Sequence, residues 1–236
     1  MARTIKYFVN FYLTVCAFVL PAALTHAQQP DNEQALSVGV AWESKYVAEG
    51  RDKLGDGGIY TFDPSLAVSG FIFGAWLGSD DTVSYQELKL SAEYGHTVAS
   101  FDLYAGYTRV KFLRTDEGDN EFSAGAAYNE LPWLVPAIDY VYSTDAKAAF
   151  VEVSLRSDIL LLEERLTLFP YVTQAIDYGF ATQEHDGANN LQFGLKAKFA
   201  LNKNMELHGF ITRSLAQRDV ELEGGGDLTW GGIGLS

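Results

Sequence analysis

The chain is short of cysteine, proline and basic residues, and past its opening segment it has no long apolar run. It contains 1 cysteine and 6 prolines in 236 residues. Cys16 lies inside an apolar opening segment, between Leu13-Thr14-Val15 and Ala17-Phe18-Val19-Leu20, which is not the setting of a lipid-modified cysteine. Everything after it is cysteine-free, which excludes disulfides and thiolate metal sites. No later stretch approaches the roughly 18 apolar residues of a helical membrane span. Lys and Arg total 17 against 31 Asp and Glu, a net charge of −14, which excludes general nucleic-acid binding. No phosphate loop, dinucleotide fingerprint or metal-ligand cluster occurs, so no cofactor is expected. Gly224-Gly225-Gly226 reads as a flexible loop element rather than a phosphate cradle.

The opening 27 residues read as a secretory signal. Arg3 and Lys6 give a positive start, Tyr7 to Leu20 is apolar apart from Asn10 and Thr14, and Pro21 breaks the run. Thr25-His26-Ala27 offers a cleavage site. Arg3 and Lys6 are the only Lys or Arg residues before residue 28, so cleavage would leave 209 residues with 15 basic and 31 acidic side chains, a net charge of −16. Residues 28–35 are mostly polar and read as a short flexible leader ahead of a single domain over 36–236.

That domain is rich in Tyr, Phe and Gly, with 14% aromatic residues, and its dominant pattern has period two. Leu88, Leu90, Ala92 and Tyr94 alternate with Glu87, Lys89, Ser91 and Glu93. Leu191, Phe193, Leu195, Ala197 and Phe199 alternate with Gln192, Gly194, Lys196 and Lys198. Tyr60, Phe62, Pro64, Leu66 and Val68 oppose Thr61, Asp63, Ser65 and Ala67, and Val151, Val153 and Leu155 oppose Glu152, Ser154 and Arg156. A helix does not place charges at every second position, whereas a strand does. The pattern predicts about twelve strands, near 36–47, 59–68, 71–79, 85–95, 99–112, 120–128, 134–143, 148–157, 165–178, 190–200, 205–214 and 227–236. Residues 157–165 read as a turn with one helical coil.

Longer, more polar connectors (48–58, 80–84, 113–119, 179–189 and 215–226) tend to alternate with tight ones at Ser69-Gly70, Gly95-His96-Thr97 and Leu201-Asn202-Lys203-Asn204. An even strand count with long loops on one rim and short turns on the other predicts an all-β fold: a transmembrane antiparallel up-and-down β-barrel in a bacterial outer membrane. A closed barrel is required there, because an open strand edge leaves backbone groups unsatisfied in lipid. Aromatic residues at strand ends (Trp42, Tyr46, Tyr60, Tyr94, Tyr107, Tyr128, Tyr140 and Tyr142) predict an interfacial girdle, with the apolar face outward.

The start of this domain, Ser37-Val38-Gly39-Val40-Ala41-Trp42-Glu43-Ser44-Lys45-Tyr46-Val47-Ala48-Glu49-Gly50, resembles the first strand of the TorF family of Gram-negative outer-membrane porins. Ser44-Lys45-Tyr46 matches that family's Ser-x-Tyr step. Glu49-Gly50-Arg51 departs from its Arg-Gly pair, with the arginine following the glycine. The hairpin Pro64 to Ser79 resembles the family's second and third strands, and beyond it the likeness is architectural. The resemblance implies an outer-membrane barrel more firmly than any activity. The chain ends Trp230-Gly231-Gly232-Ile233-Gly234-Leu235-Ser236, without the terminal aromatic common to such barrels.

The polar face supplies the candidate pore residues: Glu43, Lys45, Asp63, Glu87, Lys89, Glu93, Asp102, Glu152, Arg156, Lys196, Lys198 and Glu206. Charged rings and opposed walls of charge select ions. The expected function is therefore a porin-like channel passing ions or small polar solutes, leaning toward cations. The competing expectation is a plugged structural or docking barrel, since twelve strands lie between filled and water-carrying barrels. Lipid and lipopolysaccharide are the expected envelope partners. The acidic loops Asp80-Asp81, Asp116 to Asp119, Glu184-His185-Asp186 and Glu221 to Asp227 are expected to be solvated, with divalent-cation bridging the alternative. His96 in a turn, His185 in a loop and His208 on a strand lack the setting of a hydrolase, so no catalytic residue is expected.

Overall fold

The computed structural model describes residues 34–81, 84–131 and 133–236. The expected signal and nearly all of the expected leader lie outside these residues. The chain forms β1 (Ala35–Glu43), β2 (Val47–Ala48), β3 (Arg51–Asp52), β4 (Ile59–Val68), β5 (Phe71–Asp80), β6 (Gln86–Val98), β7 (Phe101–Phe112) and β8 (Gly118–Tyr128). Then follow β9 (Val135–Ser143), β10 (Ala148–Arg156), β11 (Ile159–Leu161), β12 (Leu166–Tyr178), β13 (Gly187–Asn202), β14 (Met205–Ala216), the helix α1 (Arg218–Leu222) and β15 (Leu228–Leu235).

The main sheet has thirteen strands. β11 pairs only with the start of β12, and the remaining twelve form a ring of antiparallel neighbours. β1 joins β15 to close one seam, and β10 joins β12 across the other. Closure gives each of the twelve ring strands a hydrogen-bonded neighbour on both sides, as an apolar solvent demands. β2 and β3 make a separate two-stranded hairpin in the connector after β1.

Directly opposed residues share a face, so the registers fix which side chains point outward. Val40 opposes Phe62 and Leu235, Phe73 opposes Ala92, Tyr107 opposes Phe122, and Phe193 opposes Arg213. Most large apolar residues on this face are exposed, among them Leu36, Phe73, Leu90, Leu103, Ile138, Val153, Leu195 and Ile211. Exposed apolar side chains around the whole circumference cannot face water; they face lipid. On β7 and β8 the aromatic pairs Phe101–Tyr128 and Tyr107–Phe122 have ring centroids 5.1 and 5.5 Å apart. Six residues separate them along the strand, about 20 Å at the strand rise, which matches a lipid-facing band with aromatics at both ends.

Connectors 69–70, 99–100, 157–165 and 203–204 and the described residues 129–131 and 133–134 lie on one rim, together with the start of β1 and the end of β15. Connectors 44–58, 113–117, 144–147, 179–186 and 217–227, and the described residues 81 and 84–85, lie on the other, the outer rim. Ser69 and Gly70 both have positive φ, 51° and 81°, the geometry of a tight hairpin whose twist matches its strands.

Four local expectations are corrected. The first strand ends at Glu43 rather than residue 47, because the chain turns into the β2–β3 hairpin; at its other end it takes in Ala35 from the expected leader. The turn expected at Gly95-His96-Thr97 falls at Ala99-Ser100, because Ala99 takes the left-handed conformation (φ 54°) and β6 pairs with β7 as far as Val98. His96 is accordingly on a strand, stacked near Tyr94. Residues 157–165 hold no helical coil: β11 pairs with β12, and Leu162, Glu163 and Glu164 turn the chain with φ between 53° and 68°.

Candidate pore and its outer mouth

Inward positions follow from the same registers. Glu43, Asp63, Glu87, Lys89, Glu93, Asp102, Glu152, Arg156, Lys196, Lys198 and Glu206 all occupy the face opposite the lipid-facing one. Lys45 does not: it lies beyond β1 in the connector and pairs with Asp52 at 2.7 Å. Alternation also places Glu121, Tyr104, Asp139 and Tyr171 inward, residues the sequence reading passed over although their strands show the same period; Gln192, read on the polar face of its strand, is inward as well, and Asp119, expected in a solvated acidic loop, is inward and buried.

The inward face divides into two regions. The lower region, toward the short turns, is charged and partly exposed. Asp63, Glu93, Tyr104, Asp139, Glu152, Tyr171, Lys196 and Lys198 all keep partial exposure there. Tyr104 Oη donates to Asp139 at 2.7 Å, and Glu93 Oε1 has no hydrogen-bond partner among the described residues. Asp63 lies over Gly39 so closely that a Cβ at Gly39 would meet its carboxylate. Interspersed with these acids are the cations of β10 and β13, Arg156 standing on the same strand as Glu152. Lys196 Nζ lies 5.1 Å from the centroid of the Tyr171 ring, and Glu152, Arg156, Glu43 and Lys198 are its charged neighbours. Tyr171 Oη in turn bonds Thr212 at 2.7 Å and accepts from Gln192 at 3.0 Å. Arg156 pairs with Asp158 and lies over Phe169; Lys198 pairs with Glu206 at 3.2 Å.

The upper region is packed. Val110, Phe112, Val141, Phe150, Ala175 and Phe180 form an apolar cluster inside the barrel, with Tyr85 and Ala148 against it. Phe180 belongs to the connector after β12, which folds inward because Asp177 accepts the amides of Phe180, Ala181 and Thr182 at 2.6, 3.1 and 3.3 Å. A carboxylate that caps three successive amides turns the chain on itself.

The connector after β1 folds over the mouth from the other side. Tyr46, expected in the interfacial girdle, is instead 1% exposed. Its hydroxyl donates to Glu87 at 2.6 Å, and its ring stacks on Trp76 with centroids 5.8 Å apart. Tyr85 donates to the same Glu87 oxygen. Lys53 and Glu49 pair at 2.8 Å. Gly50 turns the hairpin with φ 72°, where a Cβ would press on Asn190. Arg51 fastens the tip: it donates to Asn189 at 2.8 Å and Asp219 at 2.8 Å, and it bonds Glu223. Burial disfavours the guanidinium charge, but the carboxylates of Asp219 and Glu223 outweigh it and hold Arg51 above its ordinary pKa. Asp219 and Val220 of α1 are both buried, so the helix serves as the far anchor of this latch.

Two of the acidic connectors expected to be solvated therefore take part in closing the mouth. Asp80 is buried and accepts from Ser84 Oγ and the Tyr85 amide at 2.6 and 3.0 Å. Asp219 and Glu223 hold Arg51. Asp116 and Asp227 are exposed and form ion pairs with Lys111 and Arg213. Among the described residues no group of three or more His, Cys, Asp or Glu side chains is placed to hold a metal ion. His208 faces inward on β14, close to the Gly234 backbone.

A closed twelve-stranded ring with an apolar exterior and a charged interior defines an outer-membrane β-barrel of porin-like fold. Solved structures agree in fold. A KdgM porin superposes with a TM-score of 0.60 at 11% identity, over 85% of this chain and 97% of that one. A KdgM porin in complex with disordered oligogalacturonate gives 0.59 at 11% identity, with the same coverage. No protein-family model matches the chain, and no curated protein matches it in sequence.

Proposed function

We propose that this barrel is a passive outer-membrane channel for ions and small polar solutes, leaning toward cations, with its aperture set at the outer mouth. The observation that carries this reading is the charged, partly exposed lower lumen. Asp63, Glu93, Asp139 and Glu152 supply its carboxylates and Lys196, Lys198 and Arg156 its cations, with Glu152 and Arg156 on one strand. An excess of carboxylate on a lumenal face favours cations. The likeness in fold to a KdgM porin and the resemblance of residues 37–79 to the TorF porins support a channel. Oligogalacturonate, found with a KdgM porin, is a polyanion. The carboxylates on the inward face here favour cationic and neutral polar solutes over such a ligand.

A second reading rests on the packed mouth. The apolar cluster around Phe150 and the Arg51 latch favour a barrel closed at its outer end, with a structural or docking role in the envelope. Conductance of the refolded protein in planar bilayers separates the two. The channel reading expects discrete conductance steps and a reversal potential of cationic sign in a salt gradient. Silent bilayers from protein verified as folded would sink it and leave the closed barrel.

A further inference from the structure

The outward face of the twelve strands is apolar or uncharged at nearly every position. Its formal charges among the described residues are Arg109 and Lys111 on β7 and Arg213 on β14, all cationic. All lie at the outer-rim ends of their strands. Arg109 and Lys111 stand two and four residues beyond Tyr107, whose ring packs against Phe122 in the outward aromatic girdle. They therefore sit just outside the apolar band, at headgroup level of the outer leaflet. Arg213 is engaged, donating to Asp227 at 2.9 Å and to Thr229 at 3.1 Å. Lys111 pairs with the exposed Asp116 at 2.8 Å. Arg109 is exposed and makes no hydrogen bond or ion pair among the described residues. Its cross-strand neighbours, Leu90 and Asn120, carry no charge, and the Asn120 side-chain oxygen is taken by Tyr107 at 2.7 Å.

We propose that Arg109 and Lys111 form a clamp for a lipid-borne phosphate of the outer leaflet, the phosphate of a lipid A-type glycolipid. A guanidinium at an interface presents paired donors that match phosphate oxygens, and a lysine one step along the same face adds a second point charge. Basic residues beside a membrane span recognise lipid headgroups by this chemistry. Asp116, on its exposed connector, holds Lys111 until the phosphate displaces it. The clamp concerns the outer surface, so it stands whether or not the lumen conducts.

The test uses the refolded chain in neutral detergent micelles, titrated with purified lipid A and with its dephosphorylated form, with bound lipid read by native mass spectrometry. Lipid A is expected to bind at least tenfold more tightly than the dephosphorylated form. Arg109→Gln with Lys111→Gln is expected to lose at least tenfold in lipid A affinity. Arg109→Lys is expected to retain most of it, and Arg213→Gln all of it. Folding of each variant is checked by its heat-modifiable gel mobility, and these surface changes leave it intact. Equal binding of the two lipids, or unchanged affinity in the double variant, overturns the clamp. Displacement by inorganic phosphate at equal concentration overturns the assignment to a lipid.

Discussion

The two ends of the lumen are built from the same alternating strands and filled in different ways. At the outer end the inward positions carry Val110, Phe112, Val141 and Phe150, and connectors fold down onto them until Ile59, Glu87, Phe180 and Asn189 are almost wholly buried. At the lower end the inward positions carry Asp63, Glu93, Asp139, Glu152 and Lys196, and each keeps some exposure. Inward alternation thus does not by itself make a pore. An apolar inward residue recruits a loop to cover it, because exposed apolar surface costs about 25 cal/mol per Å². A charged inward residue is either covered by partners, as Glu87 is by Tyr46, Tyr85 and Lys89, or left partly exposed, because stripping its water without a partner costs several kcal/mol per ion. The outer end therefore behaves as a small protein core, whereas the lower end keeps a charged, partly exposed lining.

The sharpest way to break this contrast is to cut into each end and compare stability. Phe150→Ala removes a ring that packs on Phe180 with centroids 5.9 Å apart. It is expected to cost about 3–5 kcal/mol, the usual range for a buried Phe. Asp63→Asn in the lower lumen is expected to cost under about 1 kcal/mol, as for changes that leave no cavity or orphaned charge. Urea unfolding followed by tryptophan fluorescence measures both, and equal losses would mean the outer end is not a core.

Next in size is the latch. Arg51→Ala leaves Asp219 buried without its cation, a loss expected to destabilise the folded-over hairpin by about 3 kcal/mol. If the hairpin limits the aperture, single-channel conductance rises and trypsin gains access to Lys53. Unchanged conductance with cleavage at Lys53 would place the limit elsewhere.

The smallest expected effect separates two glutamates that sequence pattern treats alike. Glu93 stands in the partly exposed lower region, and Glu93→Gln is expected to lower cation preference, read as a reversal potential closer to zero, with the mouth unchanged. Glu87 is held by Tyr46, Tyr85 and Lys89 under the hairpin. Glu87→Gln is expected to loosen the hairpin, with its main effect on conductance rather than on selectivity. Identical behaviour of the two variants would erase the distinction between the regions.

Much of the barrel was legible in advance. Period two located the twelve ring strands, in most cases to within a few residues, and placed Asp63, Glu93, Glu152 and Lys196 on the inward face, since a pleated strand leaves a side chain only two directions. Asp139, between outward Ile138 and Tyr140, and Glu121, between outward Asn120 and Phe122, were equally legible. The mouth was not. Tyr46 follows Trp42 in a pattern that reads as a girdle, yet the strand ends between them. Arg51 lies 138 residues from Asn189 and 168 from Asp219, and no local spacing reports such a meeting.

The sequence by itself determined the strands, their two faces and the greasy exterior, because those depend on neighbours one and two residues apart. Tertiary structure alone decided how the lumen is filled: the turn of β1 into a hairpin, the anchoring of that hairpin on α1, and the meeting of Phe150 with Phe180. Those contacts join segments far apart in the chain, and they exist only once the twelve strands have closed into a ring and set the diameter the loops must cover.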